Sequence, residues 1–120
     1  MERVSPVSGN PIIVLVTVDS QEEAKRISDI LLERKVIACA NILRDVQSFY
    51  WWKGKVDHSC ELLLLMKSRG ELLKEIVRLV KENHSYEVPE IVALPIVGGN
   101  ADYLRWIEES VEVPRKGDTL

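Results

Sequence analysis

The chain has 120 residues, 46% of them hydrophobic and 29% charged, with a net charge of −3. That suits one globular domain, 1–120, able to build its own core over about residues 12–111. An acidic balance with no basic stripe argues against a nucleic-acid partner, which needs a basic surface to release counterions. The longest apolar runs, such as 62–66, are far too short to cross a bilayer, so no membrane partner is expected. The first ten residues hold no apolar signal core, so the expected location is cytoplasmic. Cys39 and Cys60 are the only cysteines, too few for a disulfide-built scaffold.

Residues 12–18 are continuous and β-branched, and predict a strand buried on both faces. Ser20 followed by Glu23 is a capping box, in which the serine hydroxyl takes one free helix N–H and the glutamate reaches back. Ala24, Ile27 and Leu31 then recur at helical spacing, to an end near Lys35. Residues 36–42 return to a β pattern that continues through 46–52. Lys53-Gly54 supplies a tight turn, and 56–67 runs back. A second capping box, Ser68 with Glu71, precedes a helix whose apolar stripe is Leu72, Leu73, Ile76, Val77 and Val80. Residues 90–97 predict a last strand, with Pro95 near a strand end or at a bulge because proline cannot donate to a ladder. Gly98-Gly99-Asn100 leads into a terminal helix, and the tail 114–120 is expected to fray. The order is an α+β class, ferredoxin-like βαββαβ sandwich with a long hairpin between its second and third strands and an extra C-terminal helix.

Four of the seven aromatics stand together in Phe49-Tyr50-Trp51-Trp52. A strand from Val36 to Trp52 would extend on the order of 50 Å, whereas a compact chain of this length has a radius of gyration of ~14 Å. The hairpin must therefore overhang its domain. An isolated two-stranded arm is marginal in water, so the rings are read as an anchor on a neighbouring subunit. Residues 62–66 and 91–94 are apolar on both faces, although helices cover only one side of such a sheet, which again calls for a partner chain.

Cys39-Ala40-Asn41-Ile42, Tyr50-Trp51-Trp52-Lys53-Gly54-Lys55, His84 through Ile91 and Gly99 through Ile107 together resemble the CutA divalent-cation tolerance family. The resemblance runs from about Ile12 to Val111. It implies a ferredoxin-like homotrimer, a role in the response to metal ions, and copper or another divalent cation as ligand; no organic cofactor and no enzymatic activity are expected. It also implies likeness to the PII-type signalling trimers, and so a second reading as a sensor or scaffold with a small-molecule or protein partner at its interface clefts. The family's copper positions fall here on Val16, Asn83 and His84, so only the last keeps a ligating side chain; Cys39 matches the family's second-strand cysteine.

Beside that, His84 reads from position as a C-terminal cation suiting a helix dipole, with imidazole's affinity for copper(II) as the rival role. Cys39, in an apolar strand, reads first as a small hydrophobe and second as a soft ligand. His58 and Cys60 share a strand face and are expected to be solvated. Trp52, Glu61, Lys67, Tyr86 and Glu90 are the candidate lining of an interface cleft. Nothing resembles a phosphate loop, a nucleophile elbow or a zinc-protease helix.

Overall fold

The computed structural model describes residues 10–113; the expected fraying of the tail falls outside them. The chain runs β1 (Pro11–Val18), α1 (Gln21–Glu33), β2 (Cys39–Trp52), β3 (Lys55–Arg69), a 3-10 turn at Gly70–Leu72, α2 (Leu73–Asn83), β4 (Ile91–Pro95) and α3 (Ala101–Ser110). The four strands form one antiparallel sheet in the order β2-β3-β1-β4, the expected ferredoxin-like layout with three helices.

Local chemistry explains most of the boundaries. Ser20 is extended, and its Oγ accepts the Glu23 N–H at 3.1 Å, so the first cap forms. Its reciprocal half does not: the Glu23 carboxylate instead takes the Ser85 N–H and hydroxyl. The second box fails altogether. Ser68 is still inside β3, fully buried, and its hydroxyl donates to the Val36 carbonyl. The chain therefore enters α2 through the 3-10 turn, with no side-chain cap. Strand β2 begins at Cys39, three residues later than the apolar pattern suggested, and β4 ends on Pro95.

The core lies on one side of the sheet. Val14, Val16, Leu64 and Met66 point into it from β1 and β3, against Ile27 and Leu31 of α1 and Ile76, Leu79 and Val80 of α2. The residues between them in sequence face the other way. Cross-strand register sets out three rows on that open face: Leu94–Ile13–Lys67–Cys39, Val92–Leu15–Leu65–Asn41 and Thr17–Leu63–Leu43. α3 runs along β1 and β3, with the Tyr103 hydroxyl 3.7 Å from Cys39 Sγ. Leu43, Val92 and Leu94 stay exposed, as do Tyr103 and Trp106 of α3. The strand expected to be buried on both faces is thus fully covered by its own chain on only one; on the other, Ile13 and Leu15 are half-buried.

The hairpin makes the molecule long, 45 × 37 × 24 Å with a radius of gyration of 15.5 Å. Its tip is a two-residue turn with positive φ at both Lys53 (50°) and Gly54 (80°), the type I′ geometry whose twist matches the strands it joins. Halfway along β2 the register shifts: Leu43 opposes Leu63, but Val46 opposes Glu61. One extra residue is absorbed at Arg44-Asp45, with Asp45 in the left-handed region at φ 61°, a β-bulge. Before the bulge the odd residues of β2 face the open side. After it the even ones do, so Ser48, Tyr50 and Trp52 join Glu61, Ser59 and Asp57 on that side.

Candidate functional site

At the far end of the open face, the hairpin and the segment from Tyr86 to Glu90 enclose a cleft of about 700 Å³. One wall is the face of the hairpin that the bulge selects: Ser48, Tyr50 and Trp52 on β2, Asp57 and Glu61 on β3. The other wall is Tyr86-Glu87-Val88-Pro89-Glu90, and Thr17 lies at the base. Phe49 also borders it, with its ring stacked 5.9 Å from that of His58. The Tyr50 hydroxyl donates to Ser59 Oγ at 3.2 Å.

The walls are joined by one short contact. The Tyr86 hydroxyl donates to Glu61 Oε2 at 2.7 Å, and Glu61 is only 7% exposed. Burial, reinforced by that carboxylate, holds the Tyr86 hydroxyl protonated well above its ordinary range, so it remains a donor at any physiological pH.

Behind Tyr86 stands His84, whose side chain is fully enclosed. Its Nε2 lies 2.7 Å from the Thr17 carbonyl, and its Nδ1 is 3.0 Å from the Tyr86 N–H. A carbonyl only accepts and an amide N–H only donates, so Nε2 carries the proton and the ring is neutral. This differs from the helix-end cation expected from position: the ring is a clamp between β1 and the cleft wall. Next to it, Ser85 is held by Glu23. Burial works to raise the Glu23 carboxyl, but the Ser85 amide and hydroxyl outweigh it and hold the group below its ordinary 4.5. A group with a depressed folded pKa contributes stability above its unfolded pKa, lost as pH falls through the folded value. The stability gap between the wild type and Glu23→Gln is therefore expected to be full above pH 4.5 and to close below it. Urea midpoints measured from about pH 6 to about pH 3 check this; a gap independent of pH would mean the charge contributes nothing.

Of the five residues read as a cleft, Trp52, Glu61, Tyr86 and Glu90 converge here. Lys67 does not. It sits six residues along β3 from Glu61, about 20 Å at the rise of a strand, and its Nζ donates to Asn41 Oδ1 at 2.6 Å. Cys39 lies opposite Lys67, at the other end of the sheet from His84, so the two candidate metal ligands are not brought together. His58 and Cys60 are exposed. Among the described residues, no three His, Cys, Asp or Glu side chains gather as a metal site. The residues of one subunit therefore do not by themselves fit a bound copper ion. Asp57, Glu87 and Val88 are cleft residues the sequence reading did not group with the others. The pairing of Asp57 with Tyr50 across the hairpin is the signal that could have placed the first of them.

Residues 12–110 match the family model described as CutA1 divalent ion tolerance protein. Over 99 residues, the chain is 46% identical to Protein CutA 1, chloroplastic, of Oryza sativa, covering 82% of this chain and 56% of that protein. It is 43% identical over 99 residues to the divalent-cation tolerance protein CutA of Archaeoglobus fulgidus, covering 82% of this chain and 96% of that one. The chain thus spans about half the length of the plant relatives it matches and nearly all of the archaeal one. Among solved structures, the crystal structure of CutA1 from Oryza sativa superposes with a TM-score of 0.83 at 45% identity, over 86% of this chain and 94% of that one. The Thermus thermophilus divalent cation tolerance protein gives 0.83 at 43%, over 85% and 99%.

Proposed function

Since the chain belongs to the CutA1 divalent ion tolerance family, we propose that it acts in the cytoplasmic response to divalent metal ions as a homotrimer, without catalysing a reaction. The observation that supports assembly is the sheet face opposite α1 and α2, which α3 covers only in part. Its rows of Ile13, Leu15, Leu63, Leu65, Val92 and Leu94 are apolar and incompletely covered, flanked by two edge strands, β2 and β4. Apolar area left in water on this scale marks an interaction surface, and open strand edges invite pairing.

Two routes to tolerance follow. In the first, the trimer binds copper or another divalent cation directly, with His84 and Cys39 as ligands. His84 would then have to give up the Tyr86 amide or the Thr17 carbonyl, and further ligands would come from a second subunit. In the second, the trimer is a sensor or scaffold whose cleft takes a small molecule or a partner protein. The convergence of Trp52, Glu61, Tyr86 and Glu90 on one cavity favours the second. Copper(II) titration calorimetry on the native oligomer, beside His84→Ala and with mass fixed by light scattering, separates them. The expected result is three times the 13.7 kDa chain mass, with copper binding unaffected by the substitution. One ion per subunit, lost in a variant that keeps its mass and its far-ultraviolet spectrum, would instead support direct ligation by His84.

A further inference from the structure

The cleft carries charge of one sign. Asp57, Glu61, Glu87 and Glu90 line it, and among the described residues no lysine, arginine or histidine does. Three of these carboxylates are exposed and hydrated, but Glu61 is not: at 7% exposure it is among the few buried charges of the molecule. The other buried carboxylates each have a cation at hand. Glu75 pairs with Arg78 at 2.6 Å, and Glu23 has Arg26 at 3.6 Å. Among the described residues Glu61 has no ion pair and a single hydrogen bond, from Tyr86 to Oε2. A buried carboxylate is ordinarily paired, because desolvating an unpaired charge costs several kcal/mol. Within one subunit that cation is missing, so a ligand or a neighbouring subunit must supply it; the open cleft of about 700 Å³ beside Glu61 favours a ligand.

The wall around Glu61 narrows the kind of cation. Trp52 and Tyr50 present rings on the same face of the hairpin, and Val88 and Pro89 form an apolar surface opposite. The faces of aromatic rings attract cations, best where water is displaced. Trp52 already draws the Lys53 ammonium to 5.8 Å from its ring centroid, a solvent-exposed instance of that contact. A bare divalent ion would instead want three or more oxygen donors converging on one point, and the described residues form no such group. Rings, an apolar wall and one buried carboxylate suit a charge spread over carbon-bearing substituents. The volume of about 700 Å³ lies within the range of small-molecule sites.

We infer that the cleft between the hairpin and residues 86–90 binds a small organic ammonium cation, with its charge on Glu61 and its alkyl groups against Trp52 and Tyr50. This rests on the second reading above, that the cleft is a ligand site, and names the class of ligand.

The test uses the native oligomer and a set of probes from tetramethylammonium through choline to phenethylammonium, followed by tryptophan fluorescence and titration calorimetry. The neutral control is 3,3-dimethyl-1-butanol, which has the shape of choline with carbon in place of the charged nitrogen. Choline is expected to saturate at one molecule per subunit and to bind about tenfold or more tightly than the alcohol. Glu61→Gln, which can still accept from Tyr86, should weaken choline by about tenfold while leaving oligomer mass in place and the melting temperature of the ligand-free protein no lower; Trp52→Leu should weaken it too. Equal binding of choline and the alcohol would overturn the cationic class while leaving a small-molecule cleft standing. If no probe, charged or neutral, binds, the ammonium site and the small-molecule reading of the cleft both fall. Binding that survives both substitutions would place the ligand elsewhere on the protein.

Discussion

His84→Ala is expected to destabilise the subunit by about 3 kcal/mol, which lowers the melting temperature by roughly 10–15 °C in a chain of this size. The ring is enclosed completely, so truncation leaves a cavity, and neither of its polar partners can turn to water. The Thr17 carbonyl and the Tyr86 N–H would both be left without the imidazole in a site shaped around it. The loss should also reach the cleft, because Tyr86 carries the contact to Glu61 and its ring packs 4.8 Å from that of His84. His84→Gln keeps a donor near the position of Nε2 and should recover part of the stability. Denaturant midpoints at fixed protein concentration measure the effect, since oligomer stability depends on concentration. A change below about 1 kcal/mol would contradict the role of the ring as a clamp.

The second large effect is on assembly. Val92→Asp is expected to reduce the particle mass threefold, to that of one 13.7 kDa chain, with the far-ultraviolet spectrum unchanged. Val92 is 46% exposed in the subunit, so an aspartate there should alter the stability of the isolated fold by no more than about 0.5 kcal/mol. In the proposed trimer the same position lies in the row Val92–Leu15–Leu65, where an unpaired carboxylate would be desolvated at a cost of several kcal/mol. The difference between those two costs is what drives dissociation. Light scattering on the purified variant reads it directly. An unchanged mass would mean that copies meet elsewhere, and a wild-type chain that already runs as a single subunit would remove the trimer itself.

Much of this was legible because it depends on local signals. Strand and helix order came from periodicity, the first helix start from Ser20, and the turn from Lys53-Gly54. Ser68 misled because its serine-to-glutamate spacing is that of a cap, while the hydroxyl is taken by the Val36 carbonyl, 32 residues away. His84 misled for a similar reason: its neighbours Asn83 and Ser85 are polar, and nothing local announces a partner as distant as Thr17. Side-chain parity on β3 does put Glu61 and Lys67 on one face. Parity carries no distance, however: within one subunit Lys67 lies about 20 Å along β3 from Glu61. What escaped was in each case a contact between segments far apart in sequence.

The bulge at Arg44-Asp45 has a consequence for how the arm tolerates change in length. Everywhere else along β2, adding or losing one residue would rotate the outer part of the strand by half a turn. Phe49 and Trp51 would then replace Tyr50 and Trp52 beside Glu61. At the bulge, two residues of β2 already oppose one of β3, so losing one of them leaves Val46 opposite Glu61. That pair works as an expansion joint: length can vary there without the ringed end of the arm losing its aim.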